Sequence, residues 1–311
     1  MTSGVLVVDK PYGPTSFDVV DRVRRLLGAR KAGHTGTLDP LATGVLAVCV
    51  EDAVKLQQWL TEGDKSYEAT VVFGVATDTE DAEGRVVATG DPSGLDATRV
   101  AAALPRLTGE IDQVPPMYSA VRVAGRRLHE AARAGEDVER APRRVVVHAL
   151  ELLSWEPARE GRARARLAVR CGKGTYVRTL AASLGELLGV PAHLEALRRT
   201  AAGPFTLAQA VPLAEAEAMA RTDVAALQAR LVAPADALSF LPAIRLAPDE
   251  VQAILHGRAI PGRAPGPLCR ALDGDGQLVA VCGPDISGER TAPRRVMVQS
   301  LGITGRAGRR R

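Results

Sequence analysis

The sequence predicts an α+β fold built on a mixed, mainly antiparallel sheet, with an inserted arm and a small β-rich segment towards its C-terminal end. Three observations carry this expectation. Strand-like runs outnumber helical ones, no regular βαβ alternation appears, and the chain changes character after residue 240. With 311 residues, 46% of them hydrophobic, the chain can bury a sizeable core and is long enough for two domains.

The elements follow in order. "VLVVDK" (5–10) reads as a short buried strand and "KPYGPTS" as a turn. "SFDVVDRVRRLLG" spaces Phe17, Val20, Val23 and Leu27 as one helical face, with Thr15 or Ser16 as N-cap and Gly28 at the end. "GHTGTLDPLATG" (33–44) is a loop, followed by a strand at 45–50 and a short helix ending near Trp59. "KSYEATVVFG" (65–74) alternates as a strand, with Tyr67, Ala69, Val71 and Phe73 on one face, and "GRVVATG" is expected to pair with it. Residues 95–107 read as a helix, and 115–144 as an irregular, then briefly helical, charged arm. "RVVVHALEL" and "RARARLAVRC" are strands. "GTYVRTLAASLGELLG" (174–189) is a helix with Tyr176, Leu180, Leu184 and Leu187 along one stripe, and Arg178 about 200° round from Tyr176. Residues 243–300 hold short strands with Gly-Asp-Gly turns, and "GRAGRRR" is a polar basic end.

Composition excludes several classes. No apolar run reaches 18 residues and no secretory leader is visible, so neither a membrane span nor export is expected, and the cytoplasm is the default. Cys49, Cys171, Cys269 and Cys282 lie far apart in or beside apolar runs, which favours buried free thiols. Neither they nor the five histidines show zinc spacing, so no metal is expected. The net charge of +4 is unevenly spread. Residues 236–311 hold 11 Lys and Arg against 7 Asp and Glu, and the rest is neutral but clustered. Arg22, Arg24, Arg25, Arg30 and Lys31 form one basic group. A second runs from Arg159 to Arg178 with Glu160 as its one acid in sequence, and "DTEDAE" (78–83) is the acidic counterweight. Such patches suit a polyanion such as RNA, or equally a solvated charged face.

The loop at 33–44 gathers three glycines and three threonines around one carboxylate, Asp39. It is not a phosphate loop, because Thr-Leu-Asp follows Gly36 where Gly-Lys-Ser/Thr would be needed. No second carboxylate lies nearby, which weakens a two-carboxylate glycosidase scheme. A turn-stabilising aspartate before Pro40 is the plain alternative.

This loop resembles the catalytic loop of the TruB family, the tRNA pseudouridine synthases acting on uridine 55. Further motifs resemble that family in its order: "KPYGPTS" (10–16), "YEATVVFGVATDTEDAEG" (67–84), "PPMYSAVRVAGRRLHEAARAG" (115–135), "GKGTYVR" (172–178) and "LRRTAAGPF" (197–205). The likeness covers roughly residues 4–210. Gly172, Arg122 and His129 stand where the family commonly has serine, lysine and tyrosine.

The resemblance implies a pseudouridine synthase catalytic domain over 1–240 with an RNA-clasping arm at 115–144. It further implies a PUA-like RNA-binding domain over 243–304, reminiscent through "LHGRAI", and a basic tail at 305–311. It implies Asp39 as nucleophile, Tyr67 as stacking platform and proton carrier, and Arg178 as the guanidinium against Asp39. His34 would fill the space of the flipped base, and Tyr176 and Leu197 would wall the pocket. Lys10 is expected to support the pocket and Lys173 to contact phosphate. For Tyr67, Tyr176 and Leu197 ordinary core packing is the alternative, for His34 a backbone bond, and for Arg178 a phosphate contact. The reaction conserves atoms and electrons, so no cofactor is expected. The expected partner is tRNA through its T stem-loop, with a monomer that needs no protein partner. A guide-RNA-dependent dyskerin-type enzyme, or a tRNA-folding chaperone without chemistry, are the alternatives.

Overall fold

The structure is a computed structural model, and it describes residues 2–118, 122–123, 126–127 and 138–297. Half of the expected arm and all of the basic tail therefore lie outside the described residues.

In chain order the elements are β1 (Gly4–Lys10), α1 (Ser16–Leu26), β2 (Ala32–His34), β3 (Ala42–Val50), α2 (Gln57–Leu60), β4 (Lys65–Phe73), β5 (Val75–Thr77), β6 (Val86–Thr89), α3 (Ala97–Ala103) and β7 (Gly109–Gln113). The short pair β8 (Arg122–Val123) and β9 (Arg126–Arg127) precedes β10 (Arg143–Arg159), β11 (Arg162–Cys171), α4 (Val177–Leu188) and β12 (Ala192–Ala202). Then come β13 (Phe205–Thr206), β14 (Val211–Pro212), α5 (Leu213–Thr222), α6 (Val224–Gln228) and α7 (Pro234–Ala237). The last elements are β15 (Ala243–Arg245), α8 (Pro248–Leu255), β16 (Cys269–Leu272), β17 (Leu278–Pro284) and β18 (Thr291–Val296).

The chain divides into two compact units. The first comprises residues 1–39, 45–61 and 203–311, the second residues 40–44 and 62–202. In the first, β1 lies between β14, its parallel partner, and β3, while β2 pairs antiparallel with β3. A separate four-stranded sheet, β15-β16-β17-β18, encloses its own core of Leu246, Ile254, Ile260, Ala271 and Val279, which agrees with the β-rich character expected after residue 243. In the second unit the order runs from the start of β3 through β12, β4, β11 and β10 to β7. There only β3 and β12 pair parallel; the other contacts are antiparallel. The expected mixed, mainly antiparallel α+β architecture is what forms.

Three local expectations are corrected. The strand at 86–89 pairs with β5 and not with β4, whose two edges are already taken by β11 and β12. Phe17 is not on the inner face of α1. The buried positions are Ser16, Val19, Val20 and Val23, and Phe17, one step round, is 74% exposed. Ser16 takes the inner place because its hydroxyl is used there, as described below. Tyr176 is not in the helix either: it is the N-cap of α4, with extended backbone (φ −98°, ψ 111°), so helical rotation does not relate it to Arg178.

The four cysteines are free and buried, as expected. Burial pushes the Cys49 thiol up to about 12, which makes it a packing group rather than a nucleophile.

The basic group at 159–178 changes meaning once the strands are paired. Along β11, Ala163, Ala165, Leu167, Val169 and Cys171 are buried, and the arginines alternate with them on the other face. There Arg164, Arg166 and Arg170, and Lys173 just beyond the strand, meet acids from elsewhere in the chain. Arg164 meets Glu195 at 2.9 Å, Arg166 meets Glu68 at 2.9 Å, Arg170 meets Asp64 at 4.0 Å, and Lys173 pairs with Glu62. This is an ion-paired face, not the unopposed basic patch that the linear count implied.

Candidate active site

The motif residues fall into two groups, one in each unit. In the first unit the loop carrying Asp39 is held by uncharged hydrogen bonds. Its entry, His34, pairs with Val48, and the Thr35 N–H donates to the Ala47 carbonyl at 3.1 Å. The Gln57 amide donates to the His34 carbonyl at 2.8 Å, and the Gly36 N–H donates to His34 Nδ1 at 3.2 Å. The second clamp joins two motifs. Thr15 caps α1 in a reciprocal box with Asp18. The next residue, Ser16, accepts from the Leu38 N–H at 2.8 Å and donates to the Leu38 carbonyl at 2.9 Å. The "TS" of "KPYGPTS" thus starts a helix and fixes the residue immediately before Asp39, itself half-buried. Lys10 ends β1 fully buried, and its Nζ donates to the Pro11 carbonyl at 3.0 Å.

The glycine that closes the loop motif, Gly44, has a different task. It sits at φ +100°, where a side chain is strained, and a Cβ there would lie 2.2 Å from the Arg199 carbonyl oxygen. Only glycine lets β3 and β12 approach this closely, which sets the register Ala42↔Leu197 and Arg199↔Gly44.

In the second unit the motif residues are held by buried charge. Tyr67, half-buried on β4, faces Val169 on one side and Arg199 on the other. Arg199 is 2% exposed and hydrogen-bonds the Tyr67 side chain. Burial pulls its basicity down, and the phenol opposes that shift. Lys65, on the same face of β4, is also lowered, first by burial and then by Arg199. Leu197 is half-buried between Ala42 and Ala69 and packs with Tyr67 against the unit's core.

Gln113 clasps the backbone of Tyr176 from both sides: its Oε1 accepts from the Tyr176 N–H at 2.9 Å and its Nε2 donates to the Tyr176 carbonyl at 3.0 Å. Arg178, 5% exposed, lies 5.9 Å from the Tyr176 ring centroid. It meets Asp81 at 3.3 Å and donates to the Tyr118 carbonyl at 2.6 Å. Asp81 is in turn held by Thr79 at 2.5 Å and the Glu83 N–H at 3.1 Å. Its neighbour Glu80 accepts from the Thr179 hydroxyl at 2.6 Å, and burial raises its pKa. The "TDTEDAEG" segment is therefore an acidic clamp on the first turn of α4. Lys173, by contrast, is exposed and tied to Glu62.

The sequence reading missed Asp81, Gln113 and Arg199 as parts of this arrangement. Asp81 and Arg199 lay inside quoted motifs, and the signal available was that each is a charge embedded in an otherwise apolar or turn-forming segment. Gln113 gave none. The first unit thus presents one carboxylate on a clamped loop, and the second a tyrosine and two buried guanidiniums on a sheet with its flanking helix. A carboxylate of this kind can act as a nucleophile, and a phenol beside a guanidinium can carry a proton.

The backbone resembles that of solved pseudouridylate-synthase assemblies. A Cbf5-Nop10-Gar1 complex matches 96% of this chain and 85% of its own, with a TM-score of 0.72 and 26% identity. An H/ACA RNP bound to a substrate RNA containing 2'-deoxyuridine matches 96% and 86%, with a TM-score of 0.72 and 25% identity. Residues 24–177 match the N-terminal domain of the TruB family pseudouridylate synthases, and residues 178–239 the tRNA pseudouridylate synthase B C-terminal domain. The tRNA pseudouridine synthase B of Symbiobacterium thermophilum is 52% identical over 82% of both chains, and that of Pseudomonas aeruginosa 45% identical over 95% of this chain and 96% of its own. The chain belongs to the TruB family.

Proposed function

We propose that this protein isomerises uridine 55 in the T loop of tRNA to pseudouridine, acting alone as a monomer without guide RNA. The observation that carries the reading is the Asp39 loop, a single carboxylate clamped through Ser16 and Gln57 and embedded in the family's motif, together with named tRNA-modifying relatives of matching length. The C1′–N1 bond breaks, the uracil turns, and a C1′–C5 bond forms. The C5 proton leaves and N1 gains one, so atoms and electrons balance without a cofactor.

In this reading Asp39 is the nucleophile, and its loop needs little further ordering when substrate arrives. The target base must leave its stack, at a cost of a few kcal/mol, and His34 fills the gap. Tyr67 stacks on the flipped base and carries the C5 proton, steadied by Arg199. Arg178 keeps the nucleophile ionised and aimed, Tyr176 and Leu197 wall the pocket, Lys10 supports it, and Lys173 exchanges Glu62 for a phosphate. Residues 1–240 carry the chemistry, the arm at 115–144 clasps the RNA, and 243–304 serve as a PUA-like second grip followed by the basic tail.

The Cbf5 likeness favours a guide-dependent enzyme as the second reading. It is weaker, because identity there is 25–26% against 45–52% for the relatives named tRNA pseudouridine synthase B. Purified protein incubated with an unmodified tRNA transcript decides between them. Pseudouridine at position 55 without guide RNA supports the proposal. Product only with a guide, or none at all, overturns it.

A further inference from the structure

Two of the chain's few aromatic side chains, five residues apart in sequence, stand in solvent. The protein has two Trp, four Tyr and four Phe in 311 residues. Tyr12, in the turn before α1, is 66% exposed, and Phe17, in the first turn of α1, is 74% exposed. Single exposed apolar residues are ordinary, but this pair has a defined setting. The turn is fixed on both sides of Phe17's helix entry by the Thr15–Asp18 capping box and the Ser16–Leu38 clamp. Phe17 is thus held rigidly outward, not left over from poor packing, since Val19, Val20 and Val23 already fill the inner face.

The face it occupies is cationic. With about 100° per residue, Asp21 and Arg24 fall within roughly 40° of Phe17 and Arg25 within roughly 80°. Both arginines lean on the one carboxylate of Asp21, so the stripe carries a surplus positive charge. An exposed aromatic ring at one end of a helix and two guanidiniums about two turns further along match the two needs of an unpaired nucleotide: a π-face for the base and cations for the flanking phosphates.

We propose that Phe17, with Tyr12 beside it in sequence, is a stacking platform for an unpaired base of the substrate RNA other than the uridine that reacts, with Arg24 and Arg25 holding the adjacent phosphates. The proposal deepens the RNA-modifying reading and rests on it for the choice of RNA. A second copy of this chain is the other occupant such a patch could take, and the test separates the two.

Phe17→Leu keeps the apolar bulk and removes the π-face; Phe17→Trp keeps the face. Neither residue touches the proposed chemistry, and an exposed position tolerates both. Affinity of the full chain for an unmodified tRNA transcript is measured by direct binding, and turnover is measured separately. Phe17→Leu is expected to weaken binding and raise KM about tenfold at unchanged kcat, with Phe17→Trp close to wild type. A series of stem-loop RNAs, each with one abasic loop position, locates the partner base: at that position the wild type and Phe17→Leu should bind equally. Leu and Trp variants that bind alike, no abasic position that abolishes their difference, or a change in oligomeric state with RNA affinity intact would each overturn the proposal. Because binding is read without turnover, an absence of pseudouridine in the wild type would sink the functional reading and leave this comparison readable.

Discussion

The two groups of site residues are built on opposite principles. In the first unit the Asp39 loop is fastened by neutral hydrogen bonds to backbone, from Ser16, Gln57 and the β3 strand. In the second, Tyr67 and Arg178 are fastened by buried charge, from Arg199, Asp81 and the Glu80 turn. The first clamp holds the loop backbone through neutral groups. A charged clamp fixes a guanidinium in an interior where it would otherwise be costly. The first arrangement makes shape separable from chemistry, and the second couples them. That difference can be broken or sharpened by mutation.

The largest effect is expected at Asp39. Asp39→Asn removes the proposed nucleophile and leaves the Ser16 and Gln57 hydrogen bonds of its loop in place, so turnover should fall by at least about a thousandfold. Thermal midpoint and tRNA affinity should stay at wild-type values. A variant that loses stability along with activity would show that the loop is not neutral after all.

Asp81→Asn probes the other principle. Arg178 and Asp81 are 5% and 3% exposed, and leaving the guanidinium without its carboxylate should cost about 3–5 kcal/mol. Denaturant unfolding measures that loss, and here stability and activity should fall together. A midpoint unchanged in denaturant would mean that Arg178 finds its counter-charge elsewhere and that the clamp description is wrong.

Ser16→Ala tests the neutral clamp itself. It removes both hydrogen bonds to Leu38 and leaves a buried N–H and carbonyl unmatched, at about 1–3 kcal/mol. The loop should loosen, so kcat should drop while tRNA binding holds. A loss confined to KM would place Ser16 in RNA contact instead of loop support.

Legibility in the sequence followed the same divide. The strands, the α1 cap and the motif positions were readable because each rests on local periodicity or turn chemistry. Phe17 was misassigned because periodicity counts apolar residues and could not foresee that a serine would take the inner position for its hydrogen bonds. Tyr176 was read into a helix it only caps, since an extended N-cap looks like one more apolar position in the stripe. Partners brought together by strand pairing were out of reach. Nothing near Arg199 in the chain announces Tyr67, and nothing near Tyr176 announces Gln113, 63 residues away.

The smallest expected effect concerns the arginines, where a linear count was most misleading. The β11 group and the α1 group look alike in sequence. Along β11 and just beyond it, Arg164, Arg166, Arg170 and Lys173 meet Glu195, Glu68, Asp64 and Glu62. On α1 two arginines share Asp21, leaving a surplus. A cation already matched by a carboxylate offers RNA little net field, and an exposed pair such as Arg166–Glu68 contributes about 0–1 kcal/mol to stability. Replacing Arg166 and Glu68 together by Gln should therefore leave both the unfolding midpoint and the salt dependence of tRNA binding nearly unchanged. Arg24→Gln with Arg25→Gln should flatten that salt dependence by about one to two in slope. Should the β11 replacement flatten the slope as much, the paired face would have to open its ion pairs towards RNA, and the contrast between the two arginine groups would vanish.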